Sequence, residues 1–143
     1  MLLFNFGISS HKISNRKIAK MFSYKIKKLK NTEIDEFIDE MLWLLRFNIY
    51  AKGTNYLKTA IFICLIDNYF LSNTNNLMQL LSQIHNKCPK TIRNNIDNAI
   101  NSAFQLTDIE YHIKFYNGYY DGRKVSLKYF LNLSIKYIKK NLK

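Results

Sequence analysis

Apolar side chains recur along most of this chain at the spacing of helices rather than strands. Ile18, Met21, Phe22, Ile26 and Leu29 share one face of a helix predicted over residues 15–30. Thr32 stands where an N-cap belongs, and Glu33, Asp35 and Glu36 load the following turn with acid that suits the helix dipole. Ile34, Phe37, Ile38, Met41, Leu42 and Leu45 then form an apolar stripe ending near Phe47. Lys52-Gly53 reads as the close of one element, with Thr54 or Asn55 capping the next. Residues 56–70 are apolar on nearly all sides, the profile of a central helix buried by its neighbours. A polar loop, SNTNN at 72–76, precedes a third group of helices. A short helix is predicted within 107–115, Gly118 and Gly122 mark turns, and 127–140 returns to helical spacing through Phe130, Leu131, Ser134, Tyr137 and Ile138.

Residues 77–104 carry the most specific pattern: a short apolar helix, a tight turn at 85–88, and a longer helix at 89–104. Pro89 suits a first helical position, where its missing N–H costs nothing. Asn86 stands in the turn, and Asn tolerates a left-handed backbone. The second helix is expected to bury Ile92, Ile96, Ala99, Ile100 and Ala103. Its opposite face then presents Lys90, Asn94, Asn98 and Asn101, flanked by Thr91 and Asp97. Asn can pair bidentately with adenine, and Lys can reach guanine or phosphate. The pattern therefore reads as a helix-turn-helix over 77–104 with its recognition helix at 89–104; the plain alternative is an αα-hairpin with a polar outer face.

Composition narrows the classes. A chain of 143 residues with 48% hydrophobic and 15% aromatic content supports a single packed core, and four glycines with one proline favour an all-α fold. Twenty-two Lys and Arg against ten Asp and Glu give a net charge of +12, a field that concentrates polyanions. Eight of those cations, and no acid, fall in residues 1–31. This stretch reads as a basic amphipathic arm that docks on the domain, lies on phosphates or touches an anionic membrane. The expected division is thus an arm over 1–31 and a helical domain over 32–143.

The chain offers little for catalysis. It has no phosphate-cradling glycine loop, no HExxH and no nucleophile elbow. Paired carboxylates such as Asp35/Asp39 and Glu36/Glu40 are expected to face solvent. His85 reads as a packing residue between helices. His85 and Cys88 are spaced as half a metal site with no second pair nearby, so neither a metal nor another cofactor is expected. Two cysteines, of which Cys64 lies inside AIFICLI, suit a reducing cytosol. The longest apolar run, 60–66, is far short of the ~20 residues of a membrane span. The start, MLLFNFGI, lacks the marks of a signal peptide. The expectation is a cytoplasmic, non-enzymatic protein without stable membrane insertion.

Over roughly residues 34–138 the chain resembles the C-terminal DNA-binding effector domain of the sporulation master response regulators of endospore-forming Firmicutes. The residues that carry the resemblance are Lys52-Gly53-x-x-Tyr56-Leu57-x-x-Ala60-Ile61, then Asp67, Leu71, Ile96, Ala99, Ile100 and Ala103. Phe104 stands where the family has tryptophan, and Gly122-Arg123 before the final helix, with an aromatic at Tyr129, also fits. The resemblance implies about six helices around one core, a helix-turn-helix in the major groove of AT-rich sites, and copies bound head to tail. The family normally carries a phosphoacceptor receiver; here some thirty basic-rich residues precede the matching stretch, so aspartyl phosphorylation in cis is not expected. The family's reading side chains are Arg, Glu, Arg and His, where this chain has Thr91, Arg93, Asn94 and Asn98. The scaffold is kept and the reading face replaced.

The expected function is sequence-specific binding of double-stranded DNA by a transcription regulator. Lys90, Thr91, Asn94, Asn98 and Asn101 would meet base edges. Lys52, Lys87, Arg93, Arg123 and Lys124 would meet phosphates. Two other readings compete. One is a protein-interaction module that pairs with a full-length relative; the other is a non-specific polyanion or membrane-surface binder driven by residues 1–31.

Overall fold

The computed structural model describes residues 15–116 and 124–142. Among these lie seven α-helices and one 3-10 turn, with no strand. They are α1 (Asn15–Leu29), α2 (Glu33–Leu44), α3 (Lys52–Ile66), the 3-10 turn Asn68–Leu71, α4 (Thr74–His85), α5 (Pro89–Leu106), α6 (Ile109–Lys114) and α7 (Leu127–Asn141). The fold is the expected all-α bundle: a basic first helix followed by six more. Among the described residues no helix is long and apolar enough to cross a membrane.

The apolar face of α1, built from Ile18, Ala19, Phe22 and Ile26, is buried and packs on α4 and α3. Phe22 meets Phe70 edge to face at 5.7 Å. These side chains belong to the same core as those of α3, α5 and α7. Of the expected readings of this stretch, docking on the domain is the one seen for the described part, and the boundary expected at residue 31 runs through one hydrophobic core. The reason is physical: an amphipathic helix of this length buries its apolar face wherever a complementary surface is at hand. Residues 1–14 of the expected arm lie outside the described residues.

Thr32 caps α2 as its position suggests, its hydroxyl accepting from the Asp35 N–H at 3.5 Å. Asp35 answers by accepting from the Asn31 N–H at 2.7 Å. The carboxylates of α2 do not all face solvent, however. Asp35 is only 7% exposed and lies 2.6 Å from Lys58 Nζ, which also holds Asp39 at 2.6 Å. Burial pushes the Asp35 carboxyl up, but Lys58, the Asn31 N–H and Lys30 outweigh it and hold it below the usual carboxylate value. Glu36 and Glu40 are exposed, as expected.

Lys52-Gly53 opens the central helix instead of closing the one before it. The preceding helix ends earlier, at a left-handed Arg46 with φ 70°. Gly53 is required by a close approach: a Cβ there would lie 2.1 Å from the Asn95 carbonyl oxygen and 2.7 Å from its carbon. From this contact α3 runs through the core with Leu57, Ala60, Ile61 and Ile63 fully buried. It stops at Ile66, short of the expected 70, because Asp67 is extended and its carboxylate accepts the Tyr69 N–H at 3.1 Å, starting the 3-10 turn. Cys64 is buried, and that burial, with Asp67 nearby, pushes its thiol up to about 12. At the far end Ser126 caps α7 by accepting from the Tyr129 N–H at 3.1 Å.

Gly53→Ala is expected to lower stability by about 1–3 kcal/mol, because the methyl meets backbone that can yield only by separating two packed helices. A denaturant melt reads this as a lower midpoint at unchanged slope.

Candidate functional site

The unit of α4, turn and α5 forms from local chemistry that can be followed residue by residue. Asn86 adopts the left-handed conformation, φ 55°, and its N–H donates to the Ser82 carbonyl. The Lys87 N–H reaches the same carbonyl at 3.2 Å, and the Ser82 hydroxyl donates to the Lys87 carbonyl at 2.6 Å. The chain thus reverses over residues 86–88, and Pro89 begins α5. Helix α4 starts at Thr74, inside the stretch expected to be loop. Asn73, its N-cap residue, turns its side chain back to donate to the Tyr69 carbonyl at 2.8 Å. Helix α5 extends two residues past 104 to Leu106 and is followed by its C-cap, Thr107, whose hydroxyl bonds the carbonyls of Ala103 and Leu45.

The two faces of α5 separate cleanly. Ile92, Ile96, Ile100 and Ala103 are buried, and Ala99 is half-buried beside Gly53. On the other side Lys90, Thr91, Asn94 and Asn98 are exposed. Spacings of four residues put Lys90, Asn94 and Asn98 along one line of the helix. No acidic residue occupies the first turn of α5. The N–H groups of Lys90 and Thr91, with the Lys90 charge, draw the exposed Cys88 thiol below its usual value, a sign of positive potential at this helix start.

Asn101 differs from its neighbours. It is half-buried, its amide nitrogen donates to the Asp97 carbonyl at 2.8 Å, and its side-chain oxygen accepts the Val125 N–H at 3.2 Å. Both ends of the amide are committed within the protein, so Asn101 acts as a brace between α5 and the segment leading into α7. Arg93 is half-buried and pairs with Asp97 one turn on, 3.6 Å away. Such a surface pair contributes at most about 1 kcal/mol, so the guanidinium is easily released to a stronger partner.

Cations flank the exposed line of α5 on three sides. Lys87 is exposed in the turn before it. Lys52, at the start of α3, shares with Asn95 and Asn98 a groove of about 280 Å3. Lys124 is exposed next to Val125, which Asn101 holds. Arg123 lies outside the described residues. The groove also brings in Arg46 and Asn48, which sequence reasoning passed over. Arg46 is ion-paired to Asp108 at 2.9 Å. The available signal was a polar Arg and Asn on either side of an apolar Phe47, just where the α2 stripe breaks.

His85 packs between helices, its ring edge-on to Tyr56 at 4.8 Å and its Nε2 3.1 Å from the Thr59 hydroxyl. Among the described residues no three His, Cys, Asp or Glu side chains gather as metal ligands would. No family model, curated protein or solved structure matches this chain.

Asn101→Ala is expected to cost about 1–2 kcal/mol of stability, since the Val125 N–H loses its acceptor inside the protein. A thermal melt measures it; a melting temperature within error of the parent would mean that the brace carries no load.

Proposed function

We propose that this protein is a non-enzymatic, cytoplasmic DNA-binding regulator that reads duplex DNA with the outer face of α5. The observation that carries this reading is the exposed row of Lys90, Thr91, Asn94 and Asn98 on a helix whose other face is anchored in the core. Helix α4, the three-residue turn and α5 then act as a helix-turn-helix, with α5 in the major groove. Asn94 and Asn98 pair with base edges, adenine being the natural partner of a bidentate amide, which favours A·T-rich sites. Thr91 and Lys90 stand nearest the helix start, where groove contacts concentrate. Lys52, Lys87 and Lys124 hold phosphates, and Arg93 joins them by leaving Asp97. Asn101, being committed internally, is not assigned to a base. The net charge of +12 supplies the long-range attraction. The resemblance to sporulation response-regulator effector domains points the same way, and copies bound head to tail on adjacent sites remain part of the proposal.

A second reading has its own support. The Thr107 hydroxyl bond to Leu45 and the Arg46–Asp108 pair bring the α2–α3 loop against the α5–α6 junction. Around that junction Trp43, Ile49, Tyr50, Leu106 and Ile109 are exposed, Tyr50 at 90%. Exposed apolar side chains on the two segments that meet there suit a protein partner, such as a full-length relative. Pairing with such a relative in the absence of DNA, undisturbed by alanine at both Asn94 and Asn98, would favour this reading over the first.

Selection of bound duplexes from a random pool at moderate salt tests DNA reading directly, and failure to enrich any motif rejects it. With a motif in hand, Asn94→Ala should relax discrimination at one base pair by about 1–3 kcal/mol and leave the others intact. Lys124→Ala should weaken all sequences alike and flatten the log–log salt slope by about 1.

A further inference from the structure

Helices α1, α3 and the end of α4 enclose a cleft of about 350 Å3 that shares no lining residue with the α5 face. Its floor is apolar, formed by the buried Ile26 and Phe62 with the half-buried Ile84. Its rim is polar and positively charged. Lys27 and Lys30 are exposed at the end of α1, and neither makes an ion pair with a carboxylate of the described residues. Lys58, the third lysine at the rim, is already neutralised by Asp35 and Asp39. The two carboxylates and one ammonium of that clamp leave one excess negative charge, and Asp35 feels Lys30; with Lys27 and Lys30 counted, the rim as a whole remains positive by one charge. His85 adds a hydrogen-bonding edge beside Thr59; burial, with Lys30 nearby, lowers its pKa.

The combination selects a ligand class. A cleft of this size falls at the low end of small-molecule sites, about 300–1,000 Å3. An apolar floor takes a hydrocarbon body, and two ammonium groups on one rim, neither in a direct ion pair, take a single anionic group at its edge. Inorganic anions lack the body, and neutral hydrocarbons leave the lysines unused. We propose that this cleft binds a compact amphipathic organic anion, an aromatic carboxylate being the fitting class. The ring would lie on Ile26, Phe62 and Ile84, with the carboxylate toward Lys27 and Lys30. The site stands independently of the DNA reading, although its occupant would pack against His85, the last residue before the left-handed Asn86 that opens the turn into α5.

The test is an NMR titration of the full chain with 1-naphthoate, alongside 1-naphthalenemethanol as a neutral analogue and acetate as an anion without the body. Saturable shifts confined to α1, α3 and the end of α4 are expected for naphthoate, with about tenfold weaker binding of the alcohol and none of acetate. Replacing both Lys27→Ala and Lys30→Ala should weaken naphthoate about tenfold and leave the alcohol unchanged. Ser23→Trp, an exposed position at the mouth, should abolish both. An unaltered spectrum elsewhere establishes that each variant is folded. Scattered shifts, equal affinity for acid and alcohol, indifference to these substitutions, or no saturable binding would each overturn the proposal.

Discussion

The contact on which this bundle depends is the meeting of two backbones at Gly53 and Asn95. Helices α3 and α5 share the most extensive helix–helix contact among the described residues, and at its upper end a hydrogen atom is all that fits between them. Apolar burial alone would hold two helices near each other with latitude in rotation and slide. A backbone carbonyl against a glycine removes that latitude, because neither side can change rotamer to relieve a clash. The rotation of α5 is thereby set, with Ile92, Ile96 and Ile100 inward and Asn94 and Asn98 outward. The same contact places Lys52, one residue before Gly53, beside the outward face. What α5 presents to solvent is therefore decided by packing on its hidden side.

A second constraint distributes charge. Lys58 is held by Asp35 and Asp39, joining α2 to α3 through a pair of contacts that also consume two carboxylates and one ammonium. Part of the remaining positive potential is carried by lysines at helix ends and turns: Lys27 in the last turn of α1 and Lys30 just after it, Lys52 at the start of α3, Lys87 in the turn and Lys124 before α7. Cations in such positions move little with the helices' internal packing and lose little when paired outside the protein. An ammonium already clamped by two carboxylates would have to be stripped of both before it met a phosphate.

Much of this was legible in sequence, and the remainder was not for identifiable reasons. Helical periodicity places the core faces of α1, α2, α5 and α7 because a face is a property of spacing within one element. Thr32 and Asn86 were readable for the same reason, each acting on residues three or four positions away. Gly53 was misread because glycine signals a helix end or a close approach equally well, and only the position of Asn95 decides between them. Asp35 looked solvent-facing because its partner sits on another helix. Asn101 sat on the correct face by periodicity, yet its acceptor is claimed by Val125, 24 residues further on. In each case a long-range partner overrode a local signal. The outward placement of Asn94 and Asn98 was readable because it follows from spacing within one helix, and both are exposed.

A row of neutral amides has no long-range attraction for a polyanion, and a ring of lysines has no means of telling one base pair from another. On the proposed DNA reading, the amides in the middle of α5 and the cations at its start and around it would divide the work in time as well as in energy. Charge acts across roughly a Debye length, about 8 Å at physiological ionic strength, and so would draw a duplex in before any base was touched. Amides act only at hydrogen-bond distance, after the helix has seated, and so govern how long the correct sequence is retained. An α5 face made of lysine and glutamate would blur the two roles, each charge pulling on every phosphate it passed. The amide composition of that face is thus the physical reason for preferring sequence reading over general polyanion attraction.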